Sequence, residues 1–217
     1  MQLYLDTADR DTAEDLLSTG LFAGITTNPT ILQRAGVGVA DIPDIYRWAT
    51  AAGAREVFFQ AWGEDTGTLV ARGEELRALG EQVVVKLVAS RAGTAACATL
   101  AKAGVPTLLT AVYDPGQAMV AAAAGATYIA PYLRRLMAAG RDAGEDVLAM
   151  HEVLSATGSP TKVLLASIPD VPAMVQLARH GVSCFTMAPT VAEQFFTDDL
   201  TAQAVTDFEA AVRETSP

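Results

Sequence analysis

Basic charge is in short supply. Fifteen Lys and Arg stand against 25 Asp and Glu, a formal charge of −10, and the sequence pI is about 4.6. A surface of that sign repels polyanions, which argues against nucleic acid and anionic membrane as partners. A small anion held locally by one or two arginines stays compatible with it. Cysteine is scarcer still: Cys97 and Cys184 lie in apolar contexts, which suits free buried thiols better than a disulfide. The two histidines, His151 and His180, fall in helical segments without metal-ligand spacing, so no metal is expected. No apolar run approaches the roughly 20 residues that cross a bilayer. The opening MQLYLDTADR has neither the basic start nor the apolar core of a signal peptide, so a soluble, cytoplasmic protein is expected. A G-x-S-x-G elbow and a P-loop are both missing, and nothing in the sequence asks for a cofactor.

What is present is a rhythm. A small-residue helix end, a glycine and a short β-rich run recur in LLSTGLFAGITT, TAAGAREVFFQ, RALGEQVVVKLV, AKAGVPTLLT, AAAAGATYIAP, SATGSPTKVLLAS and ARHGVSCFTMAP. Glycine suits a helix end because the terminating residue often adopts a left-handed backbone. The runs are β-branched and lack clean polar alternation, as in strands buried on both faces. With Gln2–Leu5 they make eight, separated by alanine-rich helical segments. This predicts an α/β fold, a single (β/α)8 TIM barrel over residues 1–217 with an extra amphipathic helix at about 200–213. An open doubly wound sheet is the alternative, weakened by Asp6-Thr7-Ala8 where a glycine-rich fingerprint would follow the first strand.

Barrel chemistry sits at the C-terminal ends of the strands. The residues expected there are Asp6, Thr26-Thr27-Asn28, Gln60, Lys86, Thr110, Tyr132 with Arg134 and Arg135, Ser167 and Thr186. Each has a bland explanation. Asp6, Asn28 and Ser167 could cap helices, and a lysine in VVVKLV could mark an edge strand. Only three lysines occur, however. Lys102 belongs to a helix end and Lys162 to the start of strand seven, so Lys86 alone lies within a strand core. A desolvated lysine among a carboxylate, a phenol and neutral hydrogen-bonding groups is what imine chemistry on a carbonyl needs. Trp48, Met119 and Met174 read as packing residues, and Trp62 follows Gln60 into a loop at the active face.

At LYLDTAD, GITTNPTIL, VVVKLV, GVPTLLTAVY, AGATYIAPYLRRL and LLASI the chain resembles the transaldolase family, and its small fructose-6-phosphate aldolase branch most closely. The resemblance runs from Met1 to about Phe208 with the motifs in order. It implies a Schiff-base aldolase with Lys86 forming the imine and Asp6 contacting substrate hydroxyls or moving a proton. Asn28 and Ser167, beside Thr27, would hold the donor. Thr110, Gln60 and Tyr132 would position a water and shuttle protons. Transaldolases usually carry glutamate where Gln60 stands and phenylalanine where Tyr132 stands, so both choices match the aldolase branch. A phenol can polarise water where a phenyl ring cannot, which favours release of a free ketone over its transfer.

Departures from the family pattern bear on the acceptor. A basic residue usual two positions after Ser167 is replaced by Pro169, with Asp170 next. A carboxylate beside a phosphate dianion is unfavourable and a cationic hydrogen bond is lost, so phosphorylated acceptors are expected to bind weakly and an unphosphorylated aldehyde to be preferred. Arg135 matches the family's phosphate arginine, and Arg134 is an extra neighbour. The resemblance also implies a homo-oligomer, pentamer or decamer. Besides the aldolase, the sequence leaves open a transaldolase using the same imine and an inactive sugar-phosphate-binding barrel.

Overall fold

The computed structural model describes residues 1–215; Ser216 and Pro217, the end of the expected domain, lie outside them. Eight strands run through it: β1 (Gln2–Asp6), β2 (Phe22–Thr26), β3 (Glu56–Gln60), β4 (Val83–Val88), β5 (Thr107–Val112), β6 (Tyr128–Pro131), β7 (Lys162–Leu165) and β8 (Cys184–Met187). Every neighbouring pair is parallel, and β8 pairs back onto β1. The sheet therefore closes in chain order as a (β/α)8 barrel, and the open-sheet alternative falls because no edge strand is left.

The helices are α1 (Arg10–Ser18), α2 (Pro29–Arg34), α3 (Ile42–Ala51), α4 (Thr66–Arg77), α5 (Arg91–Lys102), α6 (Gly116–Ala124), α7 (Leu133–Ala138), α8 (Ala143–Ala156), α9 (Val171–Ala178), α10 (Pro189–Ala192) and α11 (Asp199–Thr215). Seven begin with a side-chain cap. Asp9, Asn28, Asp65, Ser90, Asp142, Asp170 and Asp198 each accept a bond from the backbone N–H three residues on, satisfying a donor that the helix start leaves orphaned. Asp9, not Asp6, caps α1.

Period-two alternation divides the strands between two cores. Tyr4, Phe58, Val84, Leu108, Tyr128 and Leu164 fill the barrel, while Leu5, Val57, Phe59, Val85, Leu109, Ile129 and Leu165 face the helices. Apolar demand on both faces is why the strands read as unbroken runs. Near the N-terminal end of the barrel, Tyr4 packs edge-on to Phe58 with ring centroids 5.2 Å apart. Glu56 accepts bonds there from the hydroxyls of both Tyr4 and Tyr128. Burial pushes both phenols above their ordinary pKa. Gly24 allows β2 to approach β3: a β-carbon on it would lie 1.7 Å from the Glu56 carbonyl oxygen.

Trp62 is half-buried against the outer core, with the Arg72 guanidinium 4.4 Å from its ring centroid, which accounts for it as packing. The helix expected at about 200–213 is α11, and none of its described residues is buried. Leu200 and Phe208 are 81% and 71% exposed. No helix among the described residues is long and apolar enough to cross a membrane.

Candidate active site

Inside the barrel, β4 places Lys86 two residues beyond Val84 on the same face. Its side chain is buried, only 4% of the residue being exposed, and Nζ donates to the Thr27 carbonyl at 2.7 Å. The four ion pairs of the described residues lie elsewhere, so this ammonium lacks a contacting carboxylate. Burial pulls its pKa below the ordinary lysine range, and the charge of Asp6 only partly offsets that. The edge-strand explanation fails, because β4 is paired on both sides.

Asp6 ends β1 in register with Thr26, whose hydroxyl donates to Oδ1 at 2.6 Å. Thr26 also meets the Thr186 hydroxyl at 2.6 Å. Burial raises the carboxyl of Asp6; Lys86, the Thr26 hydroxyl and Arg34 oppose it in decreasing order. A carboxylate and an amine thus face one cavity, each pushed toward its neutral form.

Two left-handed residues shape the mouth. At β5 the register slips between Thr110 and Val112, and Ala111 takes φ 57°. Thr110 points inward by alternation from Leu108 and meets the Tyr132 hydroxyl at 2.7 Å, while the bulge turns Val112, which would otherwise follow it inward, to the outer core. Beyond β7, Ser167 takes φ 56°, so that Ala166 and Ser167 in succession line the cavity. Each such residue costs about 1–3 kcal/mol, a cost that tends to collect at functional sites. Tyr132 is pushed up by burial, with its bond to Thr110 opposing. The Arg135 guanidinium lies 4.9 Å from its ring centroid and donates to the Tyr113 hydroxyl at 3.1 Å.

The cavity holds about 600 Å³, an ordinary size for a small-molecule site. Asp6, Asn28, Lys86, Tyr132, Arg134, Arg135 and Ser167 line it, as the sequence suggests. Asn28 does two things, since its Oδ1 also caps α2. Thr110 stands behind Tyr132 and touches the site through it. Gln60 pairs in register with Lys86 at half burial but is not on this cavity's wall. Thr27 differs from expectation in manner: its hydroxyl turns away to the Phe58 carbonyl, and its own carbonyl is what reaches the site. The Asp170 carboxylate is not on the cavity wall: it accepts from Ala173 N at 2.8 Å as the α9 cap, next to Pro169, which does line the cavity.

Sequence reasoning missed Arg34 on the cavity wall, and nothing in the sequence marks it except its place at the end of the short α2. Tyr113, three residues after Thr110, was visible only as part of a motif.

Compared with known families, residues 3–216 match the model described as Transaldolase/Fructose-6-phosphate aldolase. The chain belongs to this family. Among transaldolase-family relatives, one from Coprothermobacter proteolyticus named "Probable transaldolase" is 34% identical over 211 residues, covering 97% of this chain and 95% of its own. Another of that name, from Caulobacter sp. (strain K31), is 33% identical over 212 residues, covering 96% and 94%. Solved structures with the same architecture include a flavocytochrome b2 mutant with TM-score 0.61 and 10% identity, covering 87% of this chain and 56% of that one. A mandelate oxidase mutant has TM-score 0.58 and 14% identity, covering 86% and 63%. At such identities these two carry the fold alone.

Proposed function

We propose that this family member is a class I aldolase acting in the cytoplasm, with Lys86 as the imine-forming residue. The observation that carries the proposal is a buried lysine, held by one carbonyl and free of contacting carboxylates, at the floor of a polar cavity. Burial favours the neutral amine, the form that adds to a carbonyl. Neutral Lys86 adds to C2 of a ketose such as fructose 6-phosphate, and loss of water with uptake of one proton from solvent leaves a protonated imine. The C3–C4 bond then breaks, its electrons neutralising the imine nitrogen as an enamine forms. Asp6, with one oxygen held by Thr26, takes the C4 hydroxyl proton and an aldehyde leaves. Protonation of the enamine at C3, with Tyr132 as the nearby acid, and hydrolysis of the imine release dihydroxyacetone.

Asn28 and Ser167 are positioned for the donor's hydroxyls, and Arg134 and Arg135 for an anionic substituent. Transfer of the three-carbon unit to a second aldose uses the same imine, and the names of the relatives favour it. The Tyr132 hydroxyl favours release instead, because it can serve hydrolysis. The exposed apolar residues of α11 support self-association of the chain.

The test is intact mass and peptide mapping after borohydride reduction with dihydroxyacetone or fructose 6-phosphate. A three-carbon adduct on Lys86, absent from Lys86→Met, is expected. A folded protein giving no adduct with any ketone would sink the imine. Products made with and without an added aldose separate release from transfer.

A further inference from the structure

One buried hydroxyl has no task in the reaction as proposed. Thr186 of β8 is 2% exposed and stands in register with Tyr4, one of the residues that fill the barrel. Its Oγ1 lies 2.6 Å from the Thr26 Oγ1, and Thr26, fully buried on β2, lies 2.6 Å from Asp6 Oδ1. A hydroxyl has one hydrogen to give, and an ionised carboxylate has none. With Asp6 ionised, the Thr26 hydrogen goes to Oδ1, so Thr186 is the donor between the two threonines. From donor to acceptor the chain runs Thr186, Thr26, Asp6. We propose that Thr186 is a positioning residue that heads this directed chain, holding Oδ1 as an acceptor and leaving Oδ2 as the oxygen that takes the substrate's proton.

Reversal of the chain is closed off at its far end. Were Oδ1 to carry a proton and donate to Thr26, Thr26 would donate to Thr186, and the Thr186 hydrogen would need an acceptor of its own. Among the described residues Thr186 bonds Thr26 alone, and a buried donor without a partner is costly. Oδ2 meets no such obstacle. Among the described residues no group bonds it, and Asp6 lines the cavity. Cleavage then balances as follows: the C4 hydroxyl proton passes to Oδ2, its O–H pair becomes the second bond of the aldehyde C=O, and the C3–C4 pair enters the enamine. Thr186 also sets the angle of Thr26. A threonine has three staggered rotamers, and the bond from Thr186 holds the one that aims Oγ1 at Asp6. The chain belongs to the resting protein; only the proton it prepares Asp6 to take rests on the aldolase reading.

The charged and titratable groups that face Asp6 are Lys86 on β4, Arg34 at the end of α2, Tyr132 after β6, and Arg134 and Arg135 on α7. Thr186 bonds none of them, so removing its hydroxyl leaves those charges in place. Carbon-13 NMR of the labelled Asp6 carboxyl, assigned with Asp6→Asn, follows its titration in ligand-free protein and needs no turnover. Weakening a hydrogen bond to the ionised form raises a carboxyl's midpoint. Thr186→Val is expected to raise it by about half a unit to one unit, as partial loss of a charge-assisted bond warrants, and Thr186→Ser to leave it as in wild type. Thr186→Ala, which lacks the hydroxyl and is smaller, takes the place of a valine variant that does not fold. An unchanged midpoint in the hydroxyl-free protein, or a shift that serine reproduces, overturns the chain. In turnover, the acid limb of fructose 6-phosphate cleavage should move up by the same interval, so the rate on that limb falls about threefold to tenfold. Borohydride trapping of dihydroxyacetone on Lys86 breaks no carbon–carbon bond and should persist. Trapping and cleavage lost in equal measure would put the effect on the amine and overturn the assignment to Asp6. Wild-type protein that forms no adduct would sink the imine alone, and the Asp6 titration would still judge the chain.

Discussion

Replacing Tyr132 by phenylalanine separates catalysis from stability at one oxygen atom. The hydroxyl lies 2.7 Å from the Thr110 Oγ1. Burial raises its pKa, so it stays protonated through neutral pH and can give a proton. The substitution keeps the ring and hence its stacking under Arg135. It removes one buried hydrogen bond and leaves the fully buried Thr110 hydroxyl without that partner, a cost of about 1–3 kcal/mol in stability. If the phenol delivers a proton during turnover, kcat should fall by about 10²–10⁴. That corresponds to about 2.7–5.4 kcal/mol in the barrier. The assay is dihydroxyacetone release from fructose 6-phosphate, run beside urea denaturation and borohydride trapping on Lys86. Trapping should persist, because the amine and its carbonyl anchor are untouched. Turnover within about threefold of wild type, or trapping lost by the same factor as turnover, would refute the role of the phenol.

Other consequences are as direct. Asp6→Asn removes the anion that supports the charged form of Lys86, so the amine's pKa falls further and the acid limb of the trapping rate should move to lower pH; movement to higher pH contradicts the charge balance. Asp170→Ala should cost about 1 kcal/mol in urea melts through loss of the α9 cap, with sugar-phosphate affinity unchanged. A gain in that affinity would mean that the carboxylate repels a bound phosphate from its capped position. Gly24→Ala drives a β-carbon into the Glu56 carbonyl and should destabilise by about 3 kcal/mol or more, since the obstacle is backbone; a loss under about 1 kcal/mol would mean that β2 and β3 part freely there.

The barrel could be read from the chain because each strand carries apolar residues on both faces and most helices begin with a side-chain cap or end at a glycine. Lys86 was legible for the same reason, as one charge inside an otherwise apolar run. Directions of side chains were harder. Thr27 and Asn28 are adjacent threonine and asparagine in one motif, yet only the β2–β3 geometry shows the threonine hydroxyl committed to Phe58. Asp170 was read by its charge, whereas its place three residues before an unsatisfied N–H decides what it does. Arg34 was invisible because a surface arginine ending a short helix looks the same whether it faces solvent or a cavity. The left-handed backbones at Ala111 and Ser167 have no sequence signal, since neither residue is glycine.

The bond from Lys86 Nζ to the Thr27 carbonyl bears on handedness. An amine that spends one N–H on a fixed acceptor turns its lone pair and remaining hydrogen toward the cavity. Once the nitrogen becomes a trigonal iminium, its single N–H can keep the same carbonyl, which fixes the plane of the C=N bond relative to the barrel. The enamine that follows inherits that plane and shows one face to Tyr132 and the other to the opposite wall. A new carbon–carbon bond should therefore form from one side only, so that a cross-aldol product carries a single configuration at C3. A mixture of C3 epimers, seen by NMR of the product, would mean that the carbonyl does not hold the nitrogen through the reaction.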